Sequence, residues 1–449
     1  MNRGGRQQDT RQLERTLSLG AALTIGVGTM VGAGIFVFPG IAAGQAGPAA
    51  TLSFALGAVV ALLVALPASE LATAIPRSGG AYYFVRIGLG PSWGALVGLS
   101  QWLGLIFAAA FYLTGFGSYA LRFLDRAGVA AFPSGAVAAL AAAALTVLHL
   151  TGAKNTGRLQ KVIVGALLLI LGVFLVTGLA GALGLVGDPP PEQPFAPFGV
   201  GPIFTTTALI FTSYLGFVQI ANVAGEIRNP ARNLPLAMVG SVLIVGVLYV
   251  GTVYVSTTVF GNQRLAELGP TAIIAVSESL LGQAGAVIML GAGLLATLSS
   301  ANASLLSSSR SVFALGREGL APEAAGRIGR RFGSPYVSLL ATGALTGGLT
   351  LLGRVEILAE VASLLHLLIY ALLCFTAVRM RGRAGYEPSF RAPGHPVLPV
   401  LAGVACVGLA ALMQPLSLAI GGGVVAFAGA WYALVRAARV AGPKTEDDA

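Results

Sequence analysis

Apolar residues run along this chain in twelve blocks of about 17 to 30 residues, each bounded by charge or by Gly/Pro clusters. They lie near 17–45, 50–75, 91–123, 134–152, 158–183, 202–226, 235–260, 283–308, 336–353, 355–378, 397–414 and 416–436. A helix of about 20 apolar residues crosses a bilayer, so the pattern predicts an all-α membrane protein with twelve transmembrane helices. The first block follows Arg3, Arg6, Arg11 and Arg15, is too long for a secretory signal, and is succeeded by many more.

Two blocks break the apolar pattern at their centres. Residues 28 to 36 read Gly-Thr-Met-Val-Gly-Ala-Gly-Ile-Phe, which places Gly32 and Gly34 where a continuous helix is least stable. Span 6 carries Phe211-Thr212-Ser213-Tyr214-Leu215-Gly216-Phe217, again polar and glycine-bearing. Within a bilayer, unwound backbone persists only where it lines a polar cavity inside the protein, and its freed amides and carbonyls then face a ligand. For most membrane glycines close helix packing is the sufficient reading, and the run Gly421-Gly422-Gly423 is taken that way. Paired interruptions in the first members of two five-span units instead point to an inverted repeat with a solute site between the halves. The expected division is a cytoplasmic segment 1–16, a first five-helix unit 17–183 and a second, inverted unit 202–378. Helices 11 and 12 over 397–436 and a cytoplasmic tail 437–449 complete it.

Composition agrees with this picture. Hydrophobic residues make up 55% of 449 and charged residues 10%, with a mean hydropathy of +0.83, against about 25% charged in soluble chains. The net charge of +10 would suit nucleic acid, but its distribution reads as topology. With the N-terminus inside, only Arg122, Arg126, Arg264 and Arg354 of the 27 basic residues fall outside, so both termini are expected in the cytoplasm of a cell-membrane protein. Cys374 and Cys406 lie within spans and read as packing residues, and His149, His366 and His395 are scattered. No metal-ligand spacing, nucleophile and base pair, or Walker motif is present, so neither a cofactor nor enzyme chemistry is expected.

Five ordered motifs resemble the amino acid–polyamine–organocation transporter superfamily. Gly32-Ala33-Gly34-Ile35-Phe36 is similar to its span 1 signature, and Glu70-Leu71 through Pro76-Arg77-Ser78-Gly79-Gly80-Ala81-Tyr82 to its span 2 to span 3 segment. Gly216-Phe217, Asn222, Gly225-Glu226-Ile227, Asn229-Pro230 and Leu234-Pro235 resemble the span 6 to span 7 junction. Asn302 through Arg310 with Arg317-Glu318-Gly319 and Pro322 resemble the end of span 8, and Phe390-Arg391-Ala392-Pro393 the start of span 11. The resemblance covers about residues 17–436. It implies the five-plus-five inverted-repeat fold of neurotransmitter-type sodium symporters, with helices 1 and 6 broken, and an amino acid permease.

The chemistry of such a substrate can be set out from the residues. A free amino acid brings a carboxylate and an ammonium out of water, and each needs partners there. Amides at Gly32, Ala33, Gly34 and Ile35 begin a half-helix and suit the carboxylate. Carbonyls at Met30, Phe211, Thr212 and Leu215 suit the ammonium, and the resemblance assigns the same roles. Thr212, Tyr214 and Trp102 are candidates for side-chain selectivity, with packing or interface anchoring the alternative for Trp102. Glu226, followed by Arg228 and Arg232, is either a helix-end ion pair or a carboxylate that titrates during transport. Glu70 and Arg77, two turns apart, read as an inner-gate pair or a local contact. Glu360 and His366 are six apart on different faces and are not taken as a relay.

Many sodium-independent members of the superfamily place a span 5 lysine where the coupled relatives hold sodium; the matching residue here is Leu167. Two alternatives follow: a cation among Gly28, Ser299 and Ser300, or apolar packing. The expected function is secondary transport of amino acids by alternating access, with a proton, sodium or no ion coupled. A polyamine or organic-amine exchanger, and a membrane-embedded sensor or channel, are the alternatives. The expected partners are an amino acid and the lipid bilayer, without nucleic acid.

Overall fold

The computed structural model describes residues 15–75, 80–129, 132–151, 156–185, 191–329 and 334–441. The described residues are helical almost throughout, and each of the twelve apolar blocks falls on helix. The first half runs α1 (Leu19–Met30), α2 (Ala33–Ala46), α3 (Ala50–Ala74), α4 (Gly80–Leu89), α5 (Pro91–Arg126), α6 (Ser134–Leu150) and α7 (Thr156–Ala182). The second runs α8 (Gly201–Ile210), a 3-10 segment (Phe211–Glu226), α9 (Pro230–Phe260), α10 (Asn262–Leu268), α11 (Ala272–Arg317), α12 (Tyr336–Thr350) and α13 (Val355–Met380). Helices α14 (Val397–Ala411) and α15 (Pro415–Ala441) follow. Among the described residues eight segments are long and apolar enough to cross a membrane, with Leu19–Met30, Ser134–Leu150 and Val397–Ala411 apolar but shorter.

The surface of this bundle is apolar. Leu169 and Val176 on α7 are 69% and 72% exposed, and Val404 on α14 is 64% exposed. Such faces are stable against hydrocarbon, where they need no water-facing polar cover. The inside is packed around the breaks: α1, α2, α8 and the 3-10 segment all contribute to one continuous core cluster with α3, α5, α9, α11 and α13. Within α11, Gly282 (φ 65°, ψ −161°) interrupts the helix just where the eighth apolar block begins. A left-handed backbone there is cheap only for glycine.

Candidate functional site

The first break is short. α1 ends at Met30, Val31 N–H closes the last turn on Val27 O at 2.6 Å, and extended Gly32 leads directly into α2. Every residue from Ala33 to Ala43 is buried, yet no side chain caps the start of α2. The first amides of any α-helix lack partners within it, so a buried, uncapped start presents donors to whatever lies opposite. Opposite lies the second break.

That break is long. From Phe211 the turns tighten to 3-10 for sixteen residues, far beyond the usual few, and the loosened groups are held by side chains of other helices. Thr212 N–H donates to Ser363 Oγ (2.8 Å), whose hydroxyl donates to Leu209 O (3.2 Å). Leu215 O accepts from Tyr370 Oη (3.1 Å), and Gly216 O from Thr29 Oγ1 (3.1 Å). Tyr249 Oη donates to Met30 O of the first break and reaches Ser213 O of the second (3.4 Å). The backbones are in contact. A Cβ on Gly34 would overlap Ser213 Oγ, one on Gly32 would overlap Ser300 Oγ, and one on Gly216 would overlap Thr29 Oγ1. Ser213 Oγ is itself buried with no hydrogen-bond partner. A buried hydroxyl left so, beside uncapped amides, is an unmet hydrogen-bonding demand.

The structure thus brings together Met30, Gly32, Ala33, Gly34, Ile35, Phe211, Thr212 and Leu215, all buried. Tyr214 is also buried, but its hydroxyl is committed to Phe54 O of α3 (2.8 Å) and its ring to Tyr249. Trp102 is not brought to the breaks. Its indole donates to Thr342 Oγ1 of α12 (3.2 Å), and it packs in a separate cluster with Tyr82 and Leu99. Its neighbour Gln101 instead lines a small cleft with Leu215, Gln219, His366 and Tyr370. Ser300 faces Gly32, Gly28 is buried a turn earlier, and Leu167 lies in the apolar core at 1% exposure. Sequence reasoning missed Ser213, Tyr249, Ser363 and Tyr370. Their only signal was a hydroxyl inside an apolar block, which many membrane helices also carry.

Charged contacts gather where α3, α4, α11 and α13 end. Glu70, 1% exposed, accepts from Arg381 Nε (2.8 Å) and Nη2 (2.5 Å), Tyr386 Oη (3.3 Å) and Ala392 N–H (2.7 Å). The expected partner Arg77 lies outside the described residues; the carboxylate is filled by Arg381 and by the segment that follows α13. Beside it Glu318 pairs with Arg86 and accepts from Tyr82 and from Tyr83 (3.1 Å). Burial first, then the adjacent carboxylate, pushes the Tyr386 and Tyr82 phenols above their ordinary value. Glu226 makes no ion pair with Arg228 or Arg232 among the described residues, which corrects the helix-end reading. Its carbonyl accepts Leu17 N–H (2.9 Å), Arg228 N–H returns to Leu17 O (2.9 Å), and Arg228 Nε donates to Arg15 O (3.2 Å). The chain before α1 is thereby tied to the end of the 3-10 segment.

Two discontinuous helices meeting inside an all-α bundle with an apolar surface define a multi-pass membrane transport protein. The family described as Amino acid permease matches residues 17–435, and the chain belongs to it. It is therefore a permease rather than an enzyme. The branched-chain amino acid permease BcaP of Bacillus subtilis is 29% identical, with 82% of each chain covered. The methylthioribose transporter of the same organism is 28% identical over 82% of this chain and 81% of its own. Cationic amino acid transporter 4 of Homo sapiens is 30% identical over 78% of this chain and 56% of its own length.

Proposed function

We propose that this protein is a secondary transporter that carries an amino acid through the paired breaks by alternating access. Its twelve crossings would form two inverted five-helix units, 17–183 and 202–378, with 397–436 outside the repeat and both termini in the cytoplasm of a cell-membrane protein. The observation that carries the reading is the buried, uncapped start of α2 facing the unpaired hydroxyl of Ser213. A carboxylate placed there accepts from the amides of Gly32, Ala33, Gly34 and Ile35 and from Ser213, which removes two deficits at once. The ammonium goes to the carbonyl side. Met30 O and Leu215 O now hold the hydroxyls of Tyr249 and Tyr370, so these phenols keep the carbonyls paired while the carrier is empty and give way when an ammonium arrives.

The charged rim is the cytoplasmic gate in this reading. Glu70 with Arg381 and Glu318 with Arg86 hold α3, α4, α11 and the segment after α13 together, and release of these pairs opens the inner side. Two relatives named for branched-chain and cationic amino acids support an amino acid substrate, and the neutral lining of the breaks favours a zwitterion without a net charge. The test is uptake of a panel of labelled amino acids into proteoliposomes. Saturable uptake of at least one, lost in Ser213→Val and slowed in Tyr249→Phe, is expected. Flux that neither saturates nor is competed by unlabelled amino acid indicates a channel and overturns the reading.

A further inference from the structure

A groove of about 480 Å³ runs along the outside of the bundle between α13 and α14, and every residue that lines it is apolar. Ala371, Phe375 and Val378 form one wall, and α14 from Pro399 to Gly408 forms the other. Phe375, Val400, Val404 and Val407 are half or more exposed, so no described part of the chain covers it. Two glycines of α14 leave the space. A Cβ on Gly408 would meet no atom within 4 Å, and one on Gly403 would only touch Cys374 Cβ (3.6 Å) and Ala371 O (3.7 Å). From Pro399 to Gly408 the wall is about 14 Å long at the helical rise per residue. One leaflet of a hydrocarbon core is about 15 Å deep, so the groove has the depth of a single leaflet.

One end of the groove is charged. Arg379, Arg381 and Arg383 stand at the end of α13, and two of them are engaged: Arg381 by Glu70, and Arg383 through Nη1 by Ile87 O (2.5 Å). Arg379 is exposed and forms no ion pair or hydrogen bond among the described residues. Helical spacing fixes its place. Residues 371, 375 and 379 are four apart and share one stripe of α13; Ala371 and Phe375 line the groove, so Arg379 continues its wall one turn further, at the mouth. A cation in the last turn also suits the helix dipole, but any basic residue there would do so, on whichever face it stood. α14 carries no charge, so the guanidinium is the charged group on the two helix stripes that form the groove.

We propose that this groove and Arg379 form a binding site for an anionic phospholipid, with an acyl chain between α13 and α14 and the headgroup phosphate on the guanidinium. In the membrane orientation proposed above, the lipid belongs to the cytoplasmic leaflet. An all-apolar channel one leaflet deep suits a hydrocarbon chain, and an arginine at its mouth keeps its stem along the apolar wall while its head reaches the phosphate layer. Guanidinium presents paired donors that match phosphate oxygens, and basic groups at the cytoplasmic ends of membrane helices attract anionic headgroups. A second copy of the chain fits less well. Seated here in the same orientation about a twofold axis, it would bring two Arg379 side chains to one depth beside that axis, where like charges repel. The lipid also bears on the centre of the bundle, because α13 carries Ser363 and Tyr370, which hold both flanks of the second break.

The test needs neither transport nor a known orientation. Protein in neutral detergent is melted against added phosphatidylglycerol and, separately, phosphatidylcholine with the same acyl chains, and its oligomeric state is measured by light scattering. Wild type is expected to gain melting temperature at the lower concentration with phosphatidylglycerol. In Arg379→Gln the phosphatidylglycerol midpoint should rise about fivefold, the contribution of one arginine beside an anionic headgroup, and the two lipids should become alike. Arg379→Lys should keep the preference. Gly408→Leu, whose side chain enters open space and strains nothing, should lose the response to both lipids. Arg232→Gln, at the start of α9 on the side of α1, α3 and α7, should behave as wild type. No preference in wild type, a preference that persists in Arg379→Gln, or an equal loss in Arg232→Gln overturns the site. An altered oligomeric state in Gly408→Leu with an unchanged lipid response gives the groove to a second copy and overturns it as well.

Discussion

The centre of the bundle and its charged rim solve the same problem with opposite materials. At the centre every side chain that holds the broken backbone is neutral: Tyr249, Tyr370, Ser363 and Thr29 each pair a hydroxyl with a carbonyl or amide. At the rim the contacts are charge-assisted, Arg381 with Glu70 and Arg86 with Glu318. Neutral hydrogen bonds in a buried site contribute modestly and are exchanged for others without exposing a bare charge. A buried ion pair is costly to break one-sidedly, which applies to Glu70 with Arg381, whereas Arg86 and Glu318 are 41% and 23% exposed and already meet water. In the reading proposed above the difference gives each region its part: neutral hydrogen-bonding groups suit a ligand whose two charges cancel overall, and a gate needs a contact that is either made or released.

The comparison is broken most severely at the rim. Arg381→Ala leaves the buried Glu70 carboxylate without its guanidinium, and a loss of about 3–5 kcal/mol is expected, read as a large fall in melting temperature with loss of uptake. Glu70→Gln combined with Arg381→Gln should recover part of the stability; a double variant no better than Arg381→Ala would deny the pair its role. At the centre, Gly34→Leu drives a side chain into Ser213, and overpacking of about 1–3 kcal/mol is expected together with abolished uptake. Normal substrate affinity in purified Gly34→Leu protein removes the first break from the site.

Smaller effects sharpen the contrast. Tyr249→Phe orphans carbonyls of both breaks and Tyr370→Phe only that of Leu215, so the former should be the more destabilising, by about 1–3 kcal/mol. Equal melting temperatures for the two variants would show that Tyr249 does not join the breaks. The rim should also respond to alkaline pH. The unfolded Tyr386 phenol loses its proton near pH ~10 and the folded one, raised by burial and by Glu70, does so later. Rim stability is therefore fully present below about pH 10 and falls as pH rises above it, and Tyr386→Phe should flatten that fall in thermal melts. The smallest effect is expected for Trp102→Phe, which forfeits one bond to Thr342, below about 1.5 kcal/mol, with selectivity unchanged. A changed set of accepted amino acids would return Trp102 to the site.

Much of the site was readable in one dimension because its cause is local. Gly32 and Gly34 weaken a helix wherever they stand, and polar residues within Phe211–Phe217 interrupt an apolar block whatever surrounds them. The rest was not readable, for reasons that differ by residue. Glu70 was read with Arg77, which lies outside the described residues, because helical spacing is the only distance a sequence carries; the guanidinium seen on it is that of Arg381, 311 residues on. Glu226 looked towards Arg228 and Arg232 for the same reason, and Arg228 turned to Arg15 O instead. Trp102 was the candidate on α5 and its neighbour Gln101 was not, yet the rotation of α5 in the bundle turned Gln101 to Leu215 and Trp102 to α12.

Hydrophobic periodicity, run length and glycine placement are properties of neighbouring residues, and they fixed an all-α membrane chain with interruptions at Val31–Gly32 and after Ile210. Which groups answer the freed amides and carbonyls is a property of helices that meet across the bundle, and no local rule carries it. Tyr249 on α9, Ser363 and Tyr370 on α13 and Ser213 facing Gly34 were chosen by packing, because a buried polar group accepts whatever partner the fold brings within hydrogen-bond reach.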